Sequence, residues 1–201
     1  MRGKAAVAIW CDVAFEVREE FDDWHAHEHM PERLAIPGFL RGTRWSNFEG
    51  SYFVLYETAE LATVTSGPYL ERLNDPTPWS RRMMPHHRNM VRSLCLVRCS
   101  YGDGVPNAIA TLRFSGQPPE LPRRQGVTGA HFLESQPISA APTAEQKIRG
   151  GDATADKVLL IGGYDREAVR LAASQLRLAG AVVGVYQLHY CLQARCRLPA
   201  G

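Results

Sequence analysis

Titratable side chains are concentrated in one short segment, FDDWHAHEHMPERLAIPGF, at residues 21–39. It contains three of the seven histidines, together with acidic side chains and a proline. A helix that starts near Val17 would place His25 and His29 one turn apart along one side. Imidazole titrates near neutral pH, and a neighbouring carboxylate can orient it, so this spacing is typical of a general acid or base.

The proline predicts where this helix stops. The residue before a proline avoids helical geometry, so Pro31 should end the helix near His29, and a second short helix can start at Glu32. The histidines would then lie at a helix C-terminus, where the macrodipole raises the proton affinity of imidazole. Glu28 or Glu32 nearby would act in the same direction.

Two other interpretations of the histidines stay open. The string HAHEH at 25–29 matches the zinc pattern H-x-x-E-H. That pattern needs an unbroken helix and a further acidic ligand from a distant helix, and Pro31 interrupts the helix, so we expect no metal ion here. In the other interpretation the histidines cap the helix or are solvated, and they have no chemical role.

Candidate binding residues follow on later segments. Arg44 lies on a predicted strand and could hold an anionic oxygen, because guanidinium suits planar carboxylates; the alternative is an exposed strand charge. Tyr56 could direct its hydroxyl group into a cleft, with core packing as the alternative. In TPWSRR at 77–82, Trp79 offers a stacking surface and Arg82 an anion clamp, and an interface role suits both equally. His86 and His87 are secondary candidates.

Short runs of β-branched and aromatic residues predict the strands that position these side chains. The turn-forming stretch SYGDGVPN at 100–107 separates the chain into two halves. The order β-α-β-β-α-β recurs after it at low identity, but the proline-rich QPPELPRRQ replaces the first helix. We expect a helix capped by Asp165 and ended by Gly180, and a surface loop at 136–156. The predicted strands are 5–13, 39–47, 52–57, 90–100, 108–114, 127–134, 157–162 and 181–192.

The bulk composition matches a soluble globular protein and argues against several partners. Lys and Arg number 23 against 21 Asp and Glu, and the basic residues are dispersed, so nucleic acid is not an expected partner. No stretch approaches the roughly 20 apolar residues that cross a bilayer, so we expect no membrane segment. The five cysteines include no C-x-x-C pair and indicate reduced thiols in a cytoplasmic protein.

Two blocks of sequence resemble a known group of proteins. W-H-x-x-E-H-x-P-E-R-L-x-I-P-G-F-x-R-x-x-R-W at 24–45 and DPTPWSRRMMPHHRN at 75–89 resemble the EthD-like and related uncharacterised families of the dimeric α+β barrel superfamily, over residues 1 to about 101. The resemblance implies a ferredoxin-like β-α-β-β-α-β unit whose sheet faces a second such sheet, with a small-molecule cleft between sheet and helices. Relatives include cofactor-free monooxygenases, isomerases and cyclases of aromatic or polyketide compounds, lactone isomerases and some haem proteins.

Carried over residue by residue, the resemblance implies a role for three positions. His29 falls at the position of the family's helix histidine, and Trp24 and Glu28 are its motif neighbours. His25 departs from the pattern, because relatives often carry an aromatic residue there. The division of labour between His25 and His29 therefore stays open.

We predict an α+β fold of two tandem ferredoxin-like units, at 1–101 and 106–194, whose antiparallel sheets pair as a dimeric α+β barrel. The expected function is that of a small-molecule enzyme, an isomerase, cyclase, lyase or cofactor-free monooxygenase, that acts on an aromatic, polyketide-like or lactone substrate without an obligatory cofactor. The alternatives are a non-catalytic binding or assembly module and a haem-binding protein. Expected partners are a small organic molecule and a second copy of the chain. The candidate site consists of His29 and His25 as catalytic residues, with Trp24, Glu28, Arg44, Tyr56, Trp79 and Arg82 as substrate-binding residues.

Overall fold

Eight antiparallel strands form a closed barrel in the computed structural model, which describes residues 1–137 and 141–194. All eight strands predicted from the sequence are confirmed, with small shifts at their ends. They are β1 (Ala5–Val13), β2 (Phe39–Ser46), β3 (Ser51–Thr58), β4 (His87–Tyr101), β5 (Ala108–Phe114), β6 (Val127–Ser135), β7 (Lys157–Gly163) and β8 (Val182–Gln193).

The order of strands around the barrel is β1-β3-β2-β8-β5-β7-β6-β4. The first four strands are therefore neighbours in the order β4-β1-β3-β2, and the last four in the order β8-β5-β7-β6. Antiparallel pairing of β2 with β8 and of β4 with β6 joins the two halves. Closure gives each described strand a neighbour on both sides, which reduces the exposed edges at which sheets aggregate.

Helices cover the outside of this barrel. Alternate residues of a strand face opposite sides of a sheet, and in β1 Ala6, Ala8 and Trp10 pack in a core to which all eight strands contribute. Val7 faces the other way and packs with Met30 in a separate core. The helices are α1 (Arg18–Trp24), α2 (Met30–Leu34), α3 (Gly67–Asn74), α4 (Pro78–Met83), α5 (Ala144–Arg149) and α6 (Arg166–Gln175).

The helix of the histidine-rich segment continues past Pro31, so the predicted helix end near His29 was wrong. A π-helical turn at His25–His29 joins α1 directly to α2, and the Met30 amide donates to the His25 carbonyl, five residues back. Met30 keeps helical angles of φ −68° and ψ −43° although Pro31 follows it. The π-helical turn shifts the backbone hydrogen bonds by one residue next to Pro31, which has no N–H group to donate. Burial of Met30 and Leu34 holds α2 on the sheet.

The second half departs from the prediction in the stretch expected to be a surface loop. That stretch contains α5, which begins with a capping box: the Thr143 hydroxyl accepts from the Gln146 amide, and the Gln146 side chain accepts from the Thr143 amide. The pattern T-x-x-Q that marks such a start is present in the sequence and was overlooked. The helix carries a fully buried acid, Glu145, which lies opposite the first half.

The last helix begins as predicted and ends early. The Asp165 carboxylate caps α6 by accepting from the Glu167 and Ala168 amides. The helix ends at Gln175 and not at Gly180, because Arg177 adopts a left-handed conformation with φ 44°. Between β5 and β6, no helix is present, in agreement with the proline-rich sequence there.

Gly42 of β2 allows helix and sheet to approach closely. A Cβ atom at this position would lie 2.9 Å from Met30 Cγ and 3.1 Å from Tyr56 Cε1. We expect Gly42→Ala to lower the free energy of unfolding by about 1–3 kcal/mol, because both neighbours must move. The control is Gly67→Ala, where an added Cβ meets no atom within 4 Å, and urea titration measures both. Equal stability of the two variants would contradict close packing at Gly42.

Candidate active site

A cavity of about 40 Å³ lies on the outer face of the first-half sheet, beneath the π-helical turn. Its described lining combines rings from the helical segment with charged groups from three other elements. These groups are His25 and His29 of the π-helical turn, Trp24 of α1, Arg33 of α2, Tyr56 of β3, His87 and Arg92 of β4, and Glu145 and Arg149 of α5.

His25 is almost fully buried, with 4% of its surface exposed. Its Nε2 atom lies 3.3 Å from the Tyr56 hydroxyl oxygen, and its Nδ1 atom is buried without a hydrogen-bond partner in the part of the chain that the structure describes. The ring stacks on Phe21, with centroids 5.8 Å apart. The tautomer of His25 is therefore tied to which of the two groups donates in the His25–Tyr56 hydrogen bond.

His29 lies beside His25, with ring centroids 5.6 Å apart. The ring packs on Trp24 at 4.5 Å, and the His29 Nδ1 atom is also buried with no partner among the described residues. Buried polar atoms are normally paired, because an unpaired one costs free energy. Two unpaired imidazole nitrogens at one cavity therefore indicate a place where a ligand accepts or donates hydrogen bonds.

Burial lowers the pKa of both imidazoles well below the usual 6.5. For His25 the next cause is the positive charge of Arg44, and for His29 it is that of Arg33. The expectation of a raised proton affinity was wrong, because burial of the rings disfavours the charged imidazolium and the positive charges of nearby guanidinium groups act in the same direction. Both imidazoles are therefore neutral at pH 7, with a nitrogen lone pair available in each ring.

Charged groups close the other side of the cavity. Arg33 and Glu145 form a buried ion pair between α2 and α5, each with 3% of its side chain exposed. Arg149 lies 3.5 Å from Glu145 and 2.9 Å from Asp152. Arg33 Nη1 has no hydrogen-bond partner in the described ranges. Arg92 donates to the Tyr69 hydroxyl at 2.7 Å.

A third imidazole, His87, lines the same space. Its Nδ1 atom lies 3.0 Å from the Met84 carbonyl oxygen, and its ring meets Phe21 edge-on, with centroids 5.4 Å apart. Burial lowers the pKa of His87 to about 4. His87 was only a secondary candidate from the sequence, and the fold brings it to the site.

Two of the predicted site residues, Glu28 and Arg44, lie outside the described lining of the cavity. The Glu28 carboxylate accepts from Thr77 Oγ1 at 2.5 Å and from Ser80 Oγ at 3.3 Å, so it anchors the start of α4. Arg44 Nη2 lies 3.2 Å from Asp22 Oδ1, and the Arg44 Nη1 group donates to the Asp22 carbonyl at 3.1 Å.

Two further predicted residues lie on the protein surface. Trp79 Nε1 and Arg82 Nη2 both donate to Glu20 Oε1, at 3.1 and 2.8 Å. The Arg82 side chain is 60% exposed, so this ion pair is screened by water. The structure thus brings His25, His29, Trp24 and Tyr56 together at the cavity and places Glu28, Arg44, Trp79 and Arg82 elsewhere.

Sequence reasoning missed the charged residues of the site. Arg33 lies inside the quoted motif, yet nothing local distinguishes it from an exposed helix charge. Glu145 is 112 residues away from Arg33 along the chain, in a segment expected to be a loop. Only the capping-box pattern beside Glu145 could have indicated an ordered helix there.

Among the described residues, no three His, Cys, Asp or Glu side chains converge closely enough to hold a metal ion. The cysteines at 11, 95, 99 and 191 are free thiols, and Cys196 lies outside the described residues. No helix within the described ranges is long and apolar enough to cross a membrane.

Solved structures with the same architecture are found at low sequence identity. An anthrone oxidase-like protein matches with a TM-score of 0.58 and 10% identity, covering 100% of this chain and 98% of that chain. A "putative monooxygenase" from Fusobacterium nucleatum matches with a TM-score of 0.53 and 8% identity, covering 96% of each chain. A second protein so described, from Lactobacillus acidophilus, matches with a TM-score of 0.51 and 7% identity, covering 95% of this chain and 97% of that chain.

These similarities establish the class of fold. The chain is an α+β protein built on a closed eight-stranded antiparallel barrel, an architecture that it shares with these structures. No protein-family model matches the sequence, and no curated protein is significantly similar to it. The particular chemistry therefore has to be argued from the site itself.

Proposed function

We propose that this protein is a small-molecule enzyme that removes a proton from an aromatic or polyketide-like substrate, with His25 and His29 as its acid–base pair. The observation that carries the proposal is the pair of neutral imidazoles whose Nδ1 atoms are buried at one cavity without a partner among the described residues. The fold neighbours described as oxidase-like and monooxygenases support an enzyme, and aromatic walls from Phe21 and Trp24 support a ring-containing substrate.

The chemistry begins with a carbon acid next to a carbonyl group. An imidazole lone pair takes the proton, and the electrons of the broken C–H bond move to the carbonyl oxygen, which gives an enolate. When His25 is the base at Nδ1, its proton is on Nε2, and this N–H group donates to the Tyr56 oxygen 3.3 Å away. Tyr56 is then a positioning residue, because it selects the tautomer of His25.

Isomerisation, cyclisation and oxygenation of such substrates all pass through the same enolate. Proton removal is therefore the step proposed for this site, whichever of these reactions follows it. The cavity of about 40 Å³ is far smaller than the roughly 300–1,000 Å³ of typical ligand sites. A ring-sized substrate therefore requires the lining to move. Met84 and Met90 line the cavity, and their unbranched side chains can repack around a ring.

We further infer that the chain consists of two fused ferredoxin-like units, at 1–101 and 106–194. The repeated strand orders β4-β1-β3-β2 and β8-β5-β7-β6 support this division, because each half places its first strand between its third and fourth. In the described residues, only the first half has a helix between its first two strands. The two units thus build one histidine site.

Proton exchange tests the proposal without knowledge of the full reaction. The protein is incubated in D₂O with a panel of aromatic ketones, β-diketones and lactones, and NMR follows loss of the C–H signal next to each carbonyl. We expect faster exchange for at least one ring-containing member than in buffer alone. No acceleration across the panel, or acceleration that the His25→Gln/His29→Gln double variant keeps in full, would overturn the proposed function.

A further inference from the structure

Positive charge dominates the lining of the cavity. Arg33, Arg92 and Arg149 contribute three guanidinium groups, and Glu145 is the carboxylate that faces them in the described lining. Asp152 pairs with Arg149 from outside the cavity and leaves the guanidinium groups in excess. A low-dielectric space with this charge favours an anion over a neutral ligand.

Arg33 offers a specific binding point. Its side chain is 3% exposed, its Nη2 group pairs with Glu145, and its Nη1 group is buried with no partner among the described residues. Guanidinium presents its N–H donors in a planar fork. This fork matches the two oxygens of a carboxylate, or one charged oxygen together with a neighbouring acceptor. The pair with Glu145 therefore uses only part of the fork.

Glu145 reaches Arg33 from the second half of the chain, on the six-residue helix α5. The Ala144 amide donates to Asn74 Oδ1 at 3.0 Å, which fixes the start of α5 against α3. A buried ion pair contributes little net stability, because the desolvation of two charges offsets their attraction. Exchange of the Glu145 carboxylate for that of a ligand is therefore inexpensive.

The far side of α5 borders an open groove of about 650 Å³. Gln146 and Asp152 line this groove, and Arg92 lines both the groove and the histidine cavity. Displacement of α5 toward the groove would join the two spaces into one of ligand size. This displacement would also expose the buried charges of Glu145 and Arg149 to water, which lowers the free-energy cost of moving α5.

We propose that the ligand of this site is an aromatic anion that binds Arg33 in place of Glu145, so that Glu145 is a built-in competitor and α5 the wall that the ligand displaces. This inference rests on the proposed function and names its substrate class.

Calorimetric titration with 1-naphthoate and its neutral analogue 1-naphthamide tests the proposal. We expect the full-length protein to bind naphthoate at least tenfold more tightly than naphthamide. Glu145→Gln should tighten naphthoate binding about tenfold and leave naphthamide binding unchanged, because the competing charge is removed. The control Glu167→Gln, an exposed acid paired with Arg170 on α6, should change neither affinity. Equal binding of the two probes, no binding of naphthoate, or weaker naphthoate binding by a folded Glu145→Gln variant would overturn the proposal.

A second variant covers the case in which Glu145→Gln does not fold. The double variant Arg33→Met/Glu145→Leu replaces the buried ion pair with apolar groups of similar length, a change that proteins often tolerate. We expect it to fold by circular dichroism and to lose the preference for naphthoate over naphthamide; a preference retained in full would overturn the role of Arg33. Naphthoate affinity in His25→Gln/His29→Gln separates the two proposals: anion binding together with unchanged proton exchange refutes the proposed function alone.

Discussion

Replacement of the catalytic base with glutamine is expected to lower the rate of substrate C–H exchange by about 10²–10⁴-fold, the usual contribution of general acid–base catalysis. The two candidates are His25 and His29, which line the same cavity and whose Nδ1 atoms have no hydrogen-bond partner among the described residues. The single variants assign the base, because only loss of that residue removes the proton acceptor. NMR exchange rates in D₂O, measured at saturating substrate, separate this loss from weaker binding.

The structure provides matched controls for this experiment. His27 lies between the two candidates on the same π-helical turn but is exposed, so His27→Gln should leave the exchange rate unchanged. Tyr56→Phe should slow exchange about fivefold to tenfold when His25 is the base, since one hydrogen bond that selects the tautomer is lost. A reduction of less than threefold in both His25→Gln and His29→Gln would refute histidine catalysis.

Acid is expected to destabilise the fold by about 2–4 kcal/mol between pH 7 and pH 5, a large share of the roughly 5–15 kcal/mol that stabilises most domains. The causes are the three imidazoles at the cavity and two further ones, His131 and His189, whose pKa values burial also lowers. Burial lowers the pKa of His87 to about 4 and that of His25 and His29 well below 6.5. Urea titrations at a series of pH values measure the change directly.

The sign follows from proton binding in the two states. Below pH 6.5 the unfolded chain protonates these histidines while the folded protein keeps them neutral, so the unfolded state binds more protons and stability falls as pH falls. Each histidine contributes at most about 1.4 kcal/mol per pH unit, and partial hydration of the cavity reduces this figure. Burial raises the pKa of Asp22 and Glu32, which opposes the trend at lower pH, so the series stops at pH 5.

Variants connect this acid sensitivity to particular rings. His87→Gln should reduce the slope of stability against pH between 6.5 and 5, because one group with a lowered pKa is removed. The exposed His27→Gln should leave the slope as it is in the parent protein. A free energy of unfolding that stays constant within about 0.5 kcal/mol from pH 7 to pH 5 would contradict burial of neutral imidazoles.

Local sequence patterns were sufficient to predict the strands and the helical side of the site. The strand predicted at 5–13 is β1, because alternation of side chains between the two faces of the sheet is a property of each strand separately. Trp24, His25 and His29 share a cavity because helical spacing already brings them to one side. Tyr56 was identified by the same alternation, although its hydrogen bond to His25 was not.

The π-helical turn could not be predicted from local rules. Pro31 favours a helix end, and that preference is a matter of backbone sterics within a few residues. Burial of Met30 and Leu34 against the sheet outweighs it, and this burial exists only when β2 and β3 are in place. The local preference is met by a wider turn, in which the Met30 amide donates to the His25 carbonyl.

The strands, the α6 cap at Asp165 and the face on which the histidines lie follow from local sequence, because each depends on residues close together in the chain. The charge and the burial of the site depend on contacts between distant segments. Arg33 and Glu145 are separated by 112 residues, and they meet because the barrel closes through β2 with β8 and β4 with β6. Burial by distant elements, which no local pattern encodes, is also what keeps the imidazoles neutral.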